Sequence, residues 1–125
     1  MKFRAICENH LYSKAYAKGK RFVTPSLAVY ILPDYAATRL ARAHPLKIKQ
    51  NRLGLTVSKK LGGAVVRNRT KRILREAYRA ALLAQPIKVG YLIVIAARER
   101  ATTQKSSELV HDLIAAFRKL DMAQR

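Results

Sequence analysis

The chain has 125 residues, half of them hydrophobic, which is enough for one domain with a buried core and too few for two. Lys and Arg number 26 against 7 Asp and Glu, a formal net charge of +19. This excludes a disordered basic tail, which would lack apolar residues, and the self-repulsion of so basic a domain points to an anionic partner.

Asn9 to Lys18 reads as a short helix, with Asn9 as a cap, Leu11 and Ala15 on one face and Gly19 as a stop. Tyr12 and Tyr16 lie four apart and project from the same side. Arg21 to Leu32 reads as extended chain that Pro25 splits into a short strand and a longer one. In the longer piece Leu27, Val29 and Ile31 share one face, and Ala28, Tyr30 and Leu32 the other. Residues 33–51 read as an extended loop. Pro33-Asp34 signals a turn, Ala36 to Ala43 suits a short helical stretch before Pro45, and Arg39, Arg42, Lys47 and Lys49 suit a solvated or RNA-facing excursion. Arg52 to Ser58 is a strand with Leu53, Leu55 and Val57 on one face, and Lys59 to Gly63 is a turn. A long helix runs from about Ala64 to Ala84 and ends before Pro86. Tyr91 to Ala96 is apolar on both faces, as a central strand is. Ser106 to about Met122 is a final helix with the stripe Leu109, Val110, Leu113, Ile114, Phe117 and Leu120. The expected architecture is α+β, a single domain over residues 1–125 built on one mixed sheet.

The helix from Ala64 carries the most information. Val66, Thr70, Ile73, Leu74, Ala77 and Ala81 form an apolar stripe at about 100° per residue. Arg67, Asn68, Lys71, Arg72, Arg75 and Arg79 sweep the opposite face, and Arg69 flanks the stripe from the other side. A solvated face normally mixes signs, because like charges one turn apart repel by a few tenths of a kcal/mol. Only Glu76 interrupts this one. Arginine suits forked phosphate contacts, and the amides at the helix N-terminus attract anions beside Lys59 and Lys60. The pattern points to nucleic acid and leaves RNA and DNA both open.

No protein-borne active site is legible. The acids Glu8, Asp34, Glu76, Glu99, Glu108, Asp112 and Asp121 are scattered, and His10, His44 and His111 lack ligand spacing. The lone Cys7 excludes a disulfide framework or a multi-cysteine zinc site and fits a reducing cytosol. Met1 to Glu8 has no signal-peptide pattern, and the longest apolar run, Val89 to Ala97, is strand-length, so a cytoplasmic protein with no membrane association is expected. Tyr12, Tyr16 and Tyr30 suit either core or a platform on which unpaired bases stack.

The run RLGLTVSKKLGGAVVRNRTKRILREAYR, from Arg52 to Arg79, closely resembles the bacterial ribonuclease P protein subunit. The resemblance lies in Val57-Ser58-Lys59-Lys60, Arg67-Asn68-Arg69, Lys71-Arg72 and Arg75-Glu76-Ala77. It extends more loosely to Tyr12, Tyr16, Gly19 and Tyr30, and to Gly90 to Arg98. Gly63 stands where that family usually has Asn, and Thr70 where it commonly has an apolar residue.

The resemblance implies an α-β-β-β-α-β-α fold with a four-stranded mixed sheet and a left-handed crossover through the basic helix. It implies that the chain binds a large catalytic RNA and assists removal of the 5′ leader from precursor tRNA, the RNA performing the hydrolysis with Mg²⁺ that it mainly holds itself. Arg67, Asn68, Arg69, Lys71, Arg72 and Arg75, with Lys59 and Lys60, would then meet the catalytic RNA. Tyr12, Tyr16 and Tyr30 would line the leader cleft, with Lys14 and Lys18 holding phosphates. No catalytic or metal-ligating residue of the protein and no obligate protein partner are expected. A ribosomal or other structural RNA-binding protein is the alternative; it fits the charge but not the run from Lys59 to Arg75. A duplex-DNA binder is disfavoured by the strands that flank the basic helix.

Overall fold

The computed structural model describes residues 4–6, 9–34 and 51–122. In chain order these form β1 (Arg4–Ala5), α1 (Asn9–Lys18), β2 (Lys20–Val23), β3 (Leu27–Pro33), β4 (Arg52–Thr56), α2 (Ala64–Ala84), β5 (Tyr91–Ala97) and α3 (Ser106–Lys119). Short 3₁₀ turns at Lys59–Leu61 and Glu99–Thr103 precede α2 and α3. Most of the expected loop, including the helical stretch from Ala36 and the basic residues Arg39, Arg42, Lys47 and Lys49, lies outside the described residues.

The four expected strands form a mixed sheet, and the two-residue β1 adds to its edge in the order β1-β4-β5-β3-β2. So short a strand carries no periodicity, which is why the sequence does not announce it. β4 and β5 run parallel with α2 as their crossover, while β3 is antiparallel to β5 and β2 to β3. Gly19 turns the chain from α1 into β2 where there is no room for a side chain: a Cβ there would come within 2.5 Å of the Ala15 carbonyl oxygen.

Alternation divides the apolar side chains between two layers. Leu27, Val29 and Ile31 of β3, Leu53 of β4, and Ile93 and Ile95 of β5 face α2 and α3. Leu32, Leu92 and Val94 face α1 and pack with Ala15 and Ile6. β5 is therefore buried on both sides, as its unbroken apolar run predicts. The larger layer includes the edge-to-face pair Tyr78–Phe117, with ring centroids 6.2 Å apart.

The buried residues of α2 are Thr70, Ile73, Leu74, Ala77, Tyr78 and Ala81. Val66, expected in this stripe, is instead 37% exposed, because the first turn projects beyond the packed layer. Tyr78 takes up the inward role. Thr70 is fully buried and donates its hydroxyl to Val66 O at 2.8 Å, so a polar residue is accommodated in the core without an orphaned group. α3 buries Leu109, Leu113, Ala116 and Phe117 and ends at Lys119, about one turn before the expected limit.

Candidate RNA interface

Because α1 and α2 pack on opposite faces of the sheet, the two sets of candidate residues form separate surfaces. On α2, Asn68, Arg69, Arg72, Arg75 and Arg79 are exposed, whereas Arg67 and Lys71 are half-buried along one flank. Arg69, on the other flank, donates from Nη1 to the Thr102 carbonyl at 3.0 Å and so ties α2 to the turn before α3. The Nε of Arg67 is buried with no hydrogen-bond partner among the described residues.

The start of α2 sharpens this surface. Gly63 caps the helix without a side-chain hydrogen bond, so the first-turn amides remain available to an anion. A Cβ at Gly63 would meet nothing within 4 Å, so the absent capping side chain would fit there. Lys59 and Lys60 lie exposed in the preceding turn, whose geometry Ser58 fixes by accepting from Lys60 N at 3.1 Å. Cationic side chains and unfilled helix amides thus lie on one continuous stretch.

The second surface lies between α1 and the sheet. Tyr12 lies over Gly54: a Cβ at Gly54 would come within 2.6 Å of the Tyr12 ring, so only glycine lets the ring settle on β4. The Tyr12 hydroxyl donates to Ile6 O at 3.4 Å. Tyr16 is 40% exposed and meets half-buried Tyr30 edge-on, with centroids 4.8 Å apart and planes at 89°. Its hydroxyl shares a hydrogen bond of 2.9 Å with Thr56 Oγ1, so the side chain reaches from the β3 ring to β4. Tyr12 is thus a packed support, while Tyr16 and Tyr30 form an aromatic wall that opens to solvent. Thr56 carries no signal in the sequence, because its role depends on the pairing of β4 with β5.

Lys14 and Lys18 are placed differently. Each is two residues from Tyr16, about 200° of helical rotation, which puts them on the other side of α1. Lys18 lines a cavity of about 300 Å³ with Lys20, Pro33, Tyr91 and Met122, at the far end of the sheet from Thr56.

Among the described residues, no three His, Cys, Asp or Glu side chains come together to hold a metal ion, and no helix is long and apolar enough to cross a membrane. Asp34 is committed to Arg52, and Asp112 accepts from Thr24 Oγ1 at 3.3 Å.

The family profile described as ribonuclease P matches residues 1–121. A ribonuclease P protein component from Clostridium acetobutylicum is 33% identical over 119 residues, covering 95% of this chain and 90% of that protein. One from Symbiobacterium thermophilum is 34% identical over 114 residues, covering 91% and 88%. The solved RNase P protein of Staphylococcus aureus superposes with a TM-score of 0.74 at 26% identity, covering 98% of this chain and all of that one. The sequence match spans both surfaces, from the tyrosines of α1 to the basic face of α2, and the chain belongs to the ribonuclease P protein family.

Proposed function

We propose that this chain is the protein subunit of a ribonucleoprotein ribonuclease P, which binds the catalytic RNA and the 5′ leader of precursor tRNA and assists removal of that leader. The observation that carries the reading is the family match over residues 1–121, which includes both the basic face of α2 and the aromatic cleft beside α1. A ribosomal role accounts for the charge alone and is not favoured.

The two surfaces divide the work. Arg67, Asn68, Arg69, Lys71, Arg72 and Arg75, together with Lys59, Lys60 and the uncapped amides of α2, meet phosphates of the catalytic RNA. Tyr16 and Tyr30, supported by Tyr12, stack on unpaired leader bases, a contact that tolerates any sequence and so suits many different leaders. The hydrolysis belongs to the RNA, and Mg²⁺ is held mainly by RNA phosphates. No carboxylate cluster on the described part of this chain fits a resident metal. The protein acts in the cytoplasm, where precursor tRNA is made, and works with these two RNAs without a membrane or an obligate protein partner.

The test is precursor tRNA cleavage by the catalytic RNA at low Mg²⁺, with and without the protein. Cleavage should be strongly stimulated by the protein and absent with rigorously RNA-free protein. Failure to stimulate, or cleavage by the protein alone, would refute the reading.

A further inference from the structure

We propose that Arg21 and Arg98 hold the phosphates of the leader along the open end of the cleft, a role that rests on the leader-cleft reading above. Strand register brings them there. Arg21 pairs with Tyr30, and Val23 with Ala28; Tyr30 pairs in turn with Val94, and Ala28 with Ala96. Val94 and Ala96 pair with Gly54 and Thr56. Directly paired residues share a face, so Arg21 and Val23 lie on the same side of the sheet as Tyr30, Ala28, Ala96 and Thr56. This is the side that carries α1.

The helix does not cover all of that side. Val23 is 48% exposed and Arg21 is exposed, whereas the intervening Phe22 turns into the opposite core. A floor of small side chains, running from Val23 through Ala28 and Ala96 to Thr56, therefore continues outward from the Tyr16–Tyr30 wall. Arg98 closes its end. It follows the last residue of β5, and its Nη1 donates to Thr24 O at 3.0 Å, one residue beyond Val23.

That bond orients the guanidinium and leaves its other donors available, which suits a planar fork awaiting a phosphate. Among the described residues neither arginine forms an ion pair. The carboxylate nearest this corner in the hydrogen-bond network, Asp112, comes from α3 on the other face of the sheet and bonds to the Thr24 hydroxyl. A charge on an edge strand such as β2 can serve merely to block strand-to-strand association. Arg98 ends a central strand, where no such role exists. Thr24 lies three residue steps from Arg21, roughly 10 Å at ~3.3 Å per residue. The two cations thus flank the Val23 edge of this floor, outward of the rings, at a spacing that an extended RNA strand bridges within a few nucleotides. Lys14 and Lys18, turned to the other side of α1, do not share this floor.

The experiment measures affinity of the reconstituted holoenzyme for precursor tRNA with a long leader and for mature tRNA, over a range of monovalent salt. The variants are Arg21→Gln, Arg98→Gln and the double. The double variant is expected to bind the leader-bearing substrate roughly tenfold more weakly and mature tRNA as well as the parent does. Its log–log salt slope should fall by about 1.4, at ~0.7 for each single-strand phosphate no longer neutralised. Arg21→Gln removes no structural hydrogen bond, so its partial effect reads the role even if Arg98→Gln lowers the thermal midpoint. If the parent holoenzyme prefers leader-bearing substrate and the double variant keeps that preference and slope, the arginine assignment is overturned and the cleft stands. If the parent shows no preference, the cleft reading falls and this proposal with it.

Discussion

Asp34 and Arg52 form a two-point ion pair: Nε donates to Oδ2 at 2.7 Å and Nη2 to Oδ1 at 3.0 Å, with side-chain exposures of 3% and 13%. The pair fastens the end of β3 to the start of β4, on either side of residues 35–50. Nearby, Asp34 N donates to Gly90 O at 2.8 Å, and Asn51 spans Lys88 O and Tyr91 N at 2.9 and 3.0 Å. The core strands are thus closed at this end whatever the intervening stretch does.

Removing one partner of such a pair leaves an uncompensated buried charge. Asp34→Ala should cost about 3–5 kcal/mol in urea unfolding, and adding Arg52→Met should recover much of that loss. A loss below about 1 kcal/mol for Asp34→Ala would show that the pair does not hold the strand ends.

Tyr78 gives the fold an alkaline limit. Burial pushes its hydroxyl up to about 12, opposed in part by a hydrogen bond from Asn51. The folded value lies above the unfolded one near 10, so its contribution is fully present below pH ~10 and fades as pH rises towards ~12, by about 2–3 kcal/mol in all. Denaturant unfolding across this window should show the parent losing stability more steeply than Tyr78→Phe. Parallel curves would mean that the hydroxyl ionises as easily in the folded protein as in the unfolded one.

On α2 the exposed arginines can be separated from the anchored one. Arg72→Ala with Arg75→Ala should weaken catalytic-RNA binding and reduce its log–log salt slope by ~0.7–0.9 for each phosphate no longer neutralised, with the thermal midpoint unchanged. Arg69→Ala should weaken binding and also lower stability by about 0.5–1.5 kcal/mol, because its bond to Thr102 O goes too. Filter-binding titrations at several salt concentrations, paired with thermal melts, check both. An unchanged slope for the double variant would remove this face from the interface.

Much of this is legible in the residues. The α2 charge pattern identifies its outer face, because six cations against one acid do not make an ordinary solvated mixture. The apolar alternation of β3 and the unbroken apolar run of β5 predict their two-sided burial. What is not legible depends on distant pairing. The placement of Arg21 beside Tyr30 follows from register, which a sequence does not state. The side of α1 that Lys14 and Lys18 occupy follows from helical phase, but only once Tyr16 is placed against Tyr30 and Thr56. Val66 fits the stripe by phase and yet is exposed, because periodicity does not reveal where a packed layer ends.

The proposed function assigns assembly to the face on α2 and substrate to the face beside α1. The most direct test compares Tyr16→Ala with Arg72→Ala/Arg75→Ala in two assays: affinity for the catalytic RNA, and holoenzyme affinity for precursor tRNA relative to mature tRNA. Tyr16 is 40% exposed, so its truncation leaves the core intact. The tyrosine variant should lose ~1–3 kcal/mol of preference for precursor and keep its RNA affinity, while the arginine variant should lose RNA affinity and, once assembled, keep the preference. Equal loss in both assays for both variants would contradict two separate faces.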